Sequence, residues 1–88
     1  MMSSVHIELA KKVNEKVKAI ETYKQMDQQR EMIIENLITD YKAGKTVDLV
    51  KLNQWTDNMN QFAVKNQLPT RKTVTMEMFL SFVKQMNE

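Results

Sequence analysis

Residues 5–43 read VHIELAKKVNEKVKAIETYKQMDQQREMIIENLITDYKA, thirty-nine residues with neither glycine nor proline. Glycine and proline are the residues that break helices, the first through backbone entropy and the second through its missing N–H and fixed φ. What remains is rich in Lys, Glu, Gln, Met and Leu, which lose little rotamer freedom in a helix. Apolar residues recur at Leu9, Val13, Val17, Ile20 and Tyr23, then at Met26, Ile33, Ile34, Leu37, Ile38 and Tyr41. Spacings of three and four place them on one helical face. The stretch predicts one long amphipathic helix over about residues 5–43, and it sets the fold class as all-α.

Two features complicate that stripe. Asp27-Gln28-Gln29-Arg30-Glu31 interrupts it with polar residues. The stripe also rotates by roughly 90° between Val13–Ile20 and Ile34–Tyr41, and a heptad pattern on a 3.6-residue helix drifts in that sense by ~20° per heptad. Either one continuous helix curls left-handedly, or two helices break near Gln28. No turn-forming residue sits in the polar stretch, which favours continuity. The stretch itself is either a solvated segment left bare by the rest of the chain or a polar element that sets register in a helix–helix seam.

Outward from this helix, the punctuation is clear. Tyr41-Lys42-Ala43-Gly44-Lys45 ends it, with Gly44 suited to the left-handed C′ position and Lys42 near the negative end of the dipole. A second helix over about 48–65 starts with Asp48 as N-cap, Val47 and Leu52 having the spacing of a hydrophobic staple. Leu52, Trp55, Met59, Phe62 and Ala63 share one of its faces, Gln54, Asn58, Gln61 and Lys65 the other, and Asn66 is a C′ candidate. Leu68-Pro69-Thr70-Arg71-Lys72-Thr73 reads as an extended linker. A third helix over about 75–87 repeats the device, with Val74, Thr75 as N-cap and Phe79. Its inner face is Met76, Phe79, Phe82, Val83 and Met86. At the N-terminus, Ser3 and Ser4 are candidate caps of the long helix. The expectation is a three-helix arrangement, a single helical domain over 1–88, with the two shorter helices packed along the long one. If they leave part of the stripe bare, a second copy would be needed to cover it.

Composition narrows function mainly by exclusion. The chain has 88 residues and a net charge of +2. The first 43 residues carry seven Lys/Arg and seven Asp/Glu, and the rest carry six and four. Neither half announces nucleic acid or an anionic membrane. There is no cysteine, so disulfide and thiol chemistry are excluded. No apolar run approaches the ~20 residues of a membrane span. The N-terminus lacks the regions of a signal peptide, and the expected location is cytoplasmic.

Individual residues offer little chemistry. His6 is the sole histidine and has no cysteine or second histidine to share a metal. Glu8 with Lys12, Lys11 with Glu15 and Asp27 with Arg30 have the spacing of solvated helix pairs, worth ~0.2–0.5 kcal/mol each. No catalytic, cofactor-binding or metal residues are identified, and the chain is not expected to be an enzyme. Trp55 is expected in the core, its N–H finding a partner; at an interface it would be an anchor. Lys65, Arg71 and Lys72 form the only local basic cluster, able to meet a phosphate or an acidic surface. The spacing of the second and third helices exceeds that of a helix-turn-helix, and the third lacks Arg, Lys and Asn in its first turns. Met32 and Met78 lie off the apolar faces.

Leu52-Asn53, Trp55-Thr56 and Leu68-Pro69-Thr70-Arg71-Lys72-Thr73-Val74-Thr75-Met76-Glu77-Met78 resemble a family of short uncharacterised proteins from Bacillus-type bacteria. The resemblance implies a bacterial cytosolic origin and carries no activity, cofactor or catalytic residue. Two functions stand as expectations. The first is a helical protein-interaction module, an adaptor or regulator and a candidate homodimer. The alternative is a weak nucleic-acid binder using the basic loop around Arg71-Lys72.

Overall fold

The computed structural model describes the backbone of residues 4–86 and the side chains of residues 11–86. Ser3, the side chain of Ser4, His6 and Leu9 lie outside these described residues. Helix α1 runs from Ser4 to Lys42 without a break, straight through Gln28. At about 1.5 Å per residue it accounts for most of the molecule's 66 Å length. Helix α2 spans Val50–Lys65 and α3 spans Met76–Met86.

The helix ends follow from local chemistry. After α1, Gly44 adopts φ 81°. The Lys45 N–H donates to Asp40 O at 2.9 Å and the Gly44 N–H to Tyr41 O at 3.1 Å, the paired bonds of a Schellman motif. The N-cap of α2 is Leu49, one position beyond the expected Asp48; Asp48 Oδ1 still accepts the Val50 N–H at 2.9 Å, and Val47 packs on the cluster that holds Leu52. Thr75 Oγ1 accepts the Met78 N–H at 3.2 Å, and Val74 packs on the cluster that holds Phe79. At the end of α2 the left-handed residue is Gln67 (φ 58°), one position beyond the expected Asn66. Asn66 instead is the C-cap, and Leu68 N–H closes back onto Ala63 O at 2.7 Å. A left-handed conformation costs a side-chain-bearing residue about 1–2 kcal/mol. Gln67→Gly should therefore stabilise the fold, net of the extra freedom glycine gives the unfolded chain. A thermal melt should show Tm rising by a few degrees.

Helix α2 packs antiparallel on α1. Lys16 meets Asn66, Tyr23 sits with Met59 and Ala63, Met26 accepts from Trp55, Arg30 reaches Thr56, and Ile38 sits with Leu49 and Leu52. On α1 this seam is Lys16, Ala19, Tyr23, Met26, Arg30, Ile33 and Leu37, a strict alternation of three and four. It is not the stripe that begins at Val13. Val13 (61% exposed), Val17 (48%) and Ile20 (37%) face solvent, turned about 90° from the seam at 100° per residue. The apparent rotation of one stripe is thus two neighbouring stripes. The seam escapes an apolar reading because two of its seven positions are the exposed Lys16 and the partly buried Arg30, and a third is the small Ala19.

The core has two parts. One joins Tyr23 to Met59 and Ala63 between α1 and α2. The other draws on all three helices, with Ile38, Leu49, Leu52, Phe79 and Val83; Tyr41 and Phe79 meet edge to face at 6.0 Å. Of the five residues expected on the inner face of α3, only Phe79 and Val83 are buried. Met76, Phe82 and Met86 are exposed, because α3 meets its neighbours along a narrow line.

Candidate functional site

The polar interruption of α1 lies beneath the linker and acts as a lock. Arg30 Nε donates to Thr56 Oγ1 at 3.0 Å, and its Nη2 donates to Lys72 O at 3.0 Å. Thr56 is fully buried and donates to Leu52 O at 2.9 Å. Asp27 does not pair with Arg30. Its two oxygens accept Arg71 Nε and Nη2 at 3.2 and 3.3 Å. Arg71 also lies over the Tyr23 ring, 5.4 Å from its centroid. The Asp27 hydrogen bond raises the Arg71 pKa above its ordinary value, against the lowering effect of burial. Within Asp27–Glu31, Asp27 and Arg30 are partly buried and tie the linker to the seam, whereas Gln28, Gln29 and Glu31 are exposed.

Two asparagines on α2 hold the linker from the other side. Asn60 Oδ1 accepts the Arg71 N–H and Asn60 Nδ2 donates to Arg71 O, both at 2.7 Å. Asn53 Oδ1 accepts the Val74 N–H at 2.7 Å and its Nδ2 donates to Val74 O at 2.9 Å. The spacing is physical: two helical turns rise about 10.5 Å, and three extended residues span about 10 Å. The linker therefore runs antiparallel along α2 with a clamp at each end. Neither asparagine stands out in the sequence, although their seven-residue spacing on one helix is the signal that could have found them.

These clamps place α3 against the C-terminal half of α1. Met78, Phe82 and Met86, four residues apart, form a ridge along one flank of α3, each about half exposed. Beside the ridge runs an open groove. Its floor includes Ile34 and Ile38, and its rim on α1 carries Arg30, Glu31 and Glu35. This groove is the strongest candidate for a functional surface.

Trp55 is partly buried and donates Nε1–H to Met26 O at 2.9 Å. Arg71 is engaged by Asp27 as described. The Lys72 carbonyl accepts from Arg30 while its side chain is exposed, and Lys65 is exposed at the end of α2. Lys65, Arg71 and Lys72 do not converge on one pocket. Phe82 and Ile34, which line the groove, were expected as core. Among the described residues no group of three or more His, Cys, Asp or Glu could hold a metal ion. No described helix is long and apolar enough to cross a membrane.

Comparison with known proteins gives a consistent picture. The model of a family described as "Protein of unknown function (DUF2533)" matches residues 3–85. An uncharacterised protein of Bacillus subtilis (strain 168), YpbS, is 28% identical over 85 residues, covering 97% of this chain and 100% of the relative. No solved structure matches the chain.

Proposed function

The chain belongs to the DUF2533 family, described as proteins of unknown function, and from that premise we propose that it is a helical protein-interaction module, an adaptor or regulator without catalytic chemistry, working in the cytoplasm. The observation that carries this is the Met78–Phe82–Met86 ridge beside Ile34. A phenylalanine 49% exposed between two half-exposed methionines, on a helix with other apolar residues already buried, is contact surface. Aromatic and methionine side chains are enriched at interfaces and adapt to a partner's shape. The groove has the form that takes one apolar face of an amphipathic helix. The alternative, a nucleic-acid binder built on the basic loop, has less to rest on. Arg71 is committed to Asp27, leaving Lys72 and Lys65 as exposed charges.

The test is capture on the immobilised full chain, wild type against Phe82→Asp, with circular dichroism showing that both fold. Polypeptides retained by the wild type and lost by the variant are the expected result. Equal retention by the two, or none by either, overturns the proposal.

A further inference from the structure

Resting on that reading of the groove, we infer that its occupant is a second copy of this chain, laid antiparallel, with the bare Val13–Val17–Ile20 stripe of each copy seated in the Ile34–Phe82–Met86 groove of the other. The stripe and the groove lie on one side of the molecule. On α1, Val13, Val17, Ile20, Lys24, Asp27, Glu31, Ile34 and Ile38 follow one another at spacings of four and three, so they form a single helical line. That line is apolar at both ends and charged in the middle. At its C-terminal end α3 covers Ile38 and leaves the groove. At its N-terminal end nothing among the described residues covers it, and exposure climbs from 37% at Ile20 to 61% at Val13.

The line is self-complementary under a two-fold axis. At about 1.5 Å per residue, Val17 lies about 16 Å from the point midway between Lys24 and Glu31, and the Ile34–Ile38 floor lies about 13 Å beyond it. An antiparallel copy centred there puts stripe over groove twice and sets Lys24 of each copy against Glu31 of the other. An isologous contact of this kind closes on itself.

Charge agrees with this arrangement. Of the lysines between residues 11 and 24, Lys24 lies on the line itself, while at 100° per residue Lys11, Lys12 and Lys18 fall well off it and Lys16 is held at Asn66 O. The groove's rim carries Glu31 and Glu35 at a spacing of four, a like-charge pair that destabilises a helix unless cations meet it. Arg30, also on the rim, has Nε and Nη2 engaged by Thr56 and the Lys72 carbonyl. Lys24, Glu31 and Glu35 have no ion-pair partner among the described residues. Lys24 of a second copy supplies a cation that the Glu31–Glu35 pair lacks.

Sedimentation of the full chain over a roughly 100-fold concentration range tests this, because mass action makes dimer content depend on concentration. The wild type should dimerise, and added salt should weaken it. Lys24→Glu and Glu31→Lys should each raise the dimer Kd by about tenfold or more, since the two-fold axis places each change in the contact twice. The double variant should recover most of the loss, because the pair is restored with its signs exchanged. Glu31→Lys relieves the repulsion from Glu35, so its loss of dimer would not come from unfolding. A wild type that stays monomeric throughout, single variants with unchanged Kd, or a double variant no better than either single one overturns the inference. A monomer that still captures polypeptides in a Phe82-dependent way removes the second copy and leaves the interaction module standing.

Discussion

Leu52→Ala is expected to cost about 3–4 kcal/mol of folding stability, as truncation of a fully buried leucine does. Leu52 is fully buried, and its cluster is the one that draws on all three helices: Ile38 from α1, Leu49 just before α2, and Phe79 and Val83 from α3. Truncation removes transfer free energy and leaves a void that three separately anchored elements cannot close together. A domain of this size is stable by about 5–10 kcal/mol in all, so the loss is a large share. Each kcal/mol moves Tm by about 4–8 °C, and the melt should fall by more than 10 °C. Met59→Ala makes the contrast. Met59 is also fully buried, but its cluster joins α1 to α2 and to Leu68 of the linker, without α3. Its cost should be similar in a global melt, while amide exchange in α3 should rise more in the Leu52 variant. Val64→Ala, at an exposed position, should change stability by less than about 0.5 kcal/mol. A Leu52 variant that melts like the Val64 variant would mean the three-helix cluster does not hold the fold.

What the sequence displays and what it conceals divide along a physical line. Gly44, Asp48 and Thr75 act on backbone groups within a few residues, so their roles follow from local rules; Gly44 and Thr75 stand where those rules put them, and Asp48 binds the first turn of α2 from one position before its N-cap, Leu49. The continuity of α1 through Gln28 is likewise local. The seam is different. Lys16 and Arg30 stand on the seam because each finds an acceptor on another element: Asn66 O for Lys16, Thr56 Oγ1 and Lys72 O for Arg30. Reading apolar periodicity discards such positions, and it joined the bare Val13–Ile20 stripe to a seam that it does not belong to. Arg71 shows the same limit from the other side. As part of a basic cluster it looks like a free anion site, but Asp27, 44 residues away in sequence, takes its charge. The candidate groove was the least legible part. Its residues are apolar, and apolar residues on an amphipathic helix read as core until the neighbouring helix is seen to cover only Phe79 and Val83.

Asn53→Ala is the second large effect, and it bears on how α3 is held. The side chain of Asn53 satisfies both the N–H and the C=O of Val74, the residue that leads into Thr75 and the first turn of α3. Both bonds are partly buried, so truncation leaves two backbone groups without their partners. An unmade buried hydrogen bond costs about 1–3 kcal/mol, and the total should fall near 2–3 kcal/mol after partial access of water to the site. The loss concentrates at the linker. Hydrogen exchange should show the Val74 amide protected in the wild type and open in the variant, with α3 opening more often than α1 or α2. Asn53→Asp separates the two bonds, because a carboxylate still accepts the Val74 N–H but cannot donate to Val74 O and faces that carbonyl with like polarity. It should keep the amide protected and still lose stability, falling between wild type and alanine. Asn60→Ala removes the equivalent clamp at Arg71, yet Asp27 and Tyr23 still hold that side chain, so its effect should be smaller. The order Asn53→Ala, Asn53→Asp, Asn60→Ala, from most to least damaging to α3, is what a two-clamp linker requires. If both alanine variants leave α3 exchange unchanged, packing of Phe79 and Val83 alone positions the ridge, and the clamps do not.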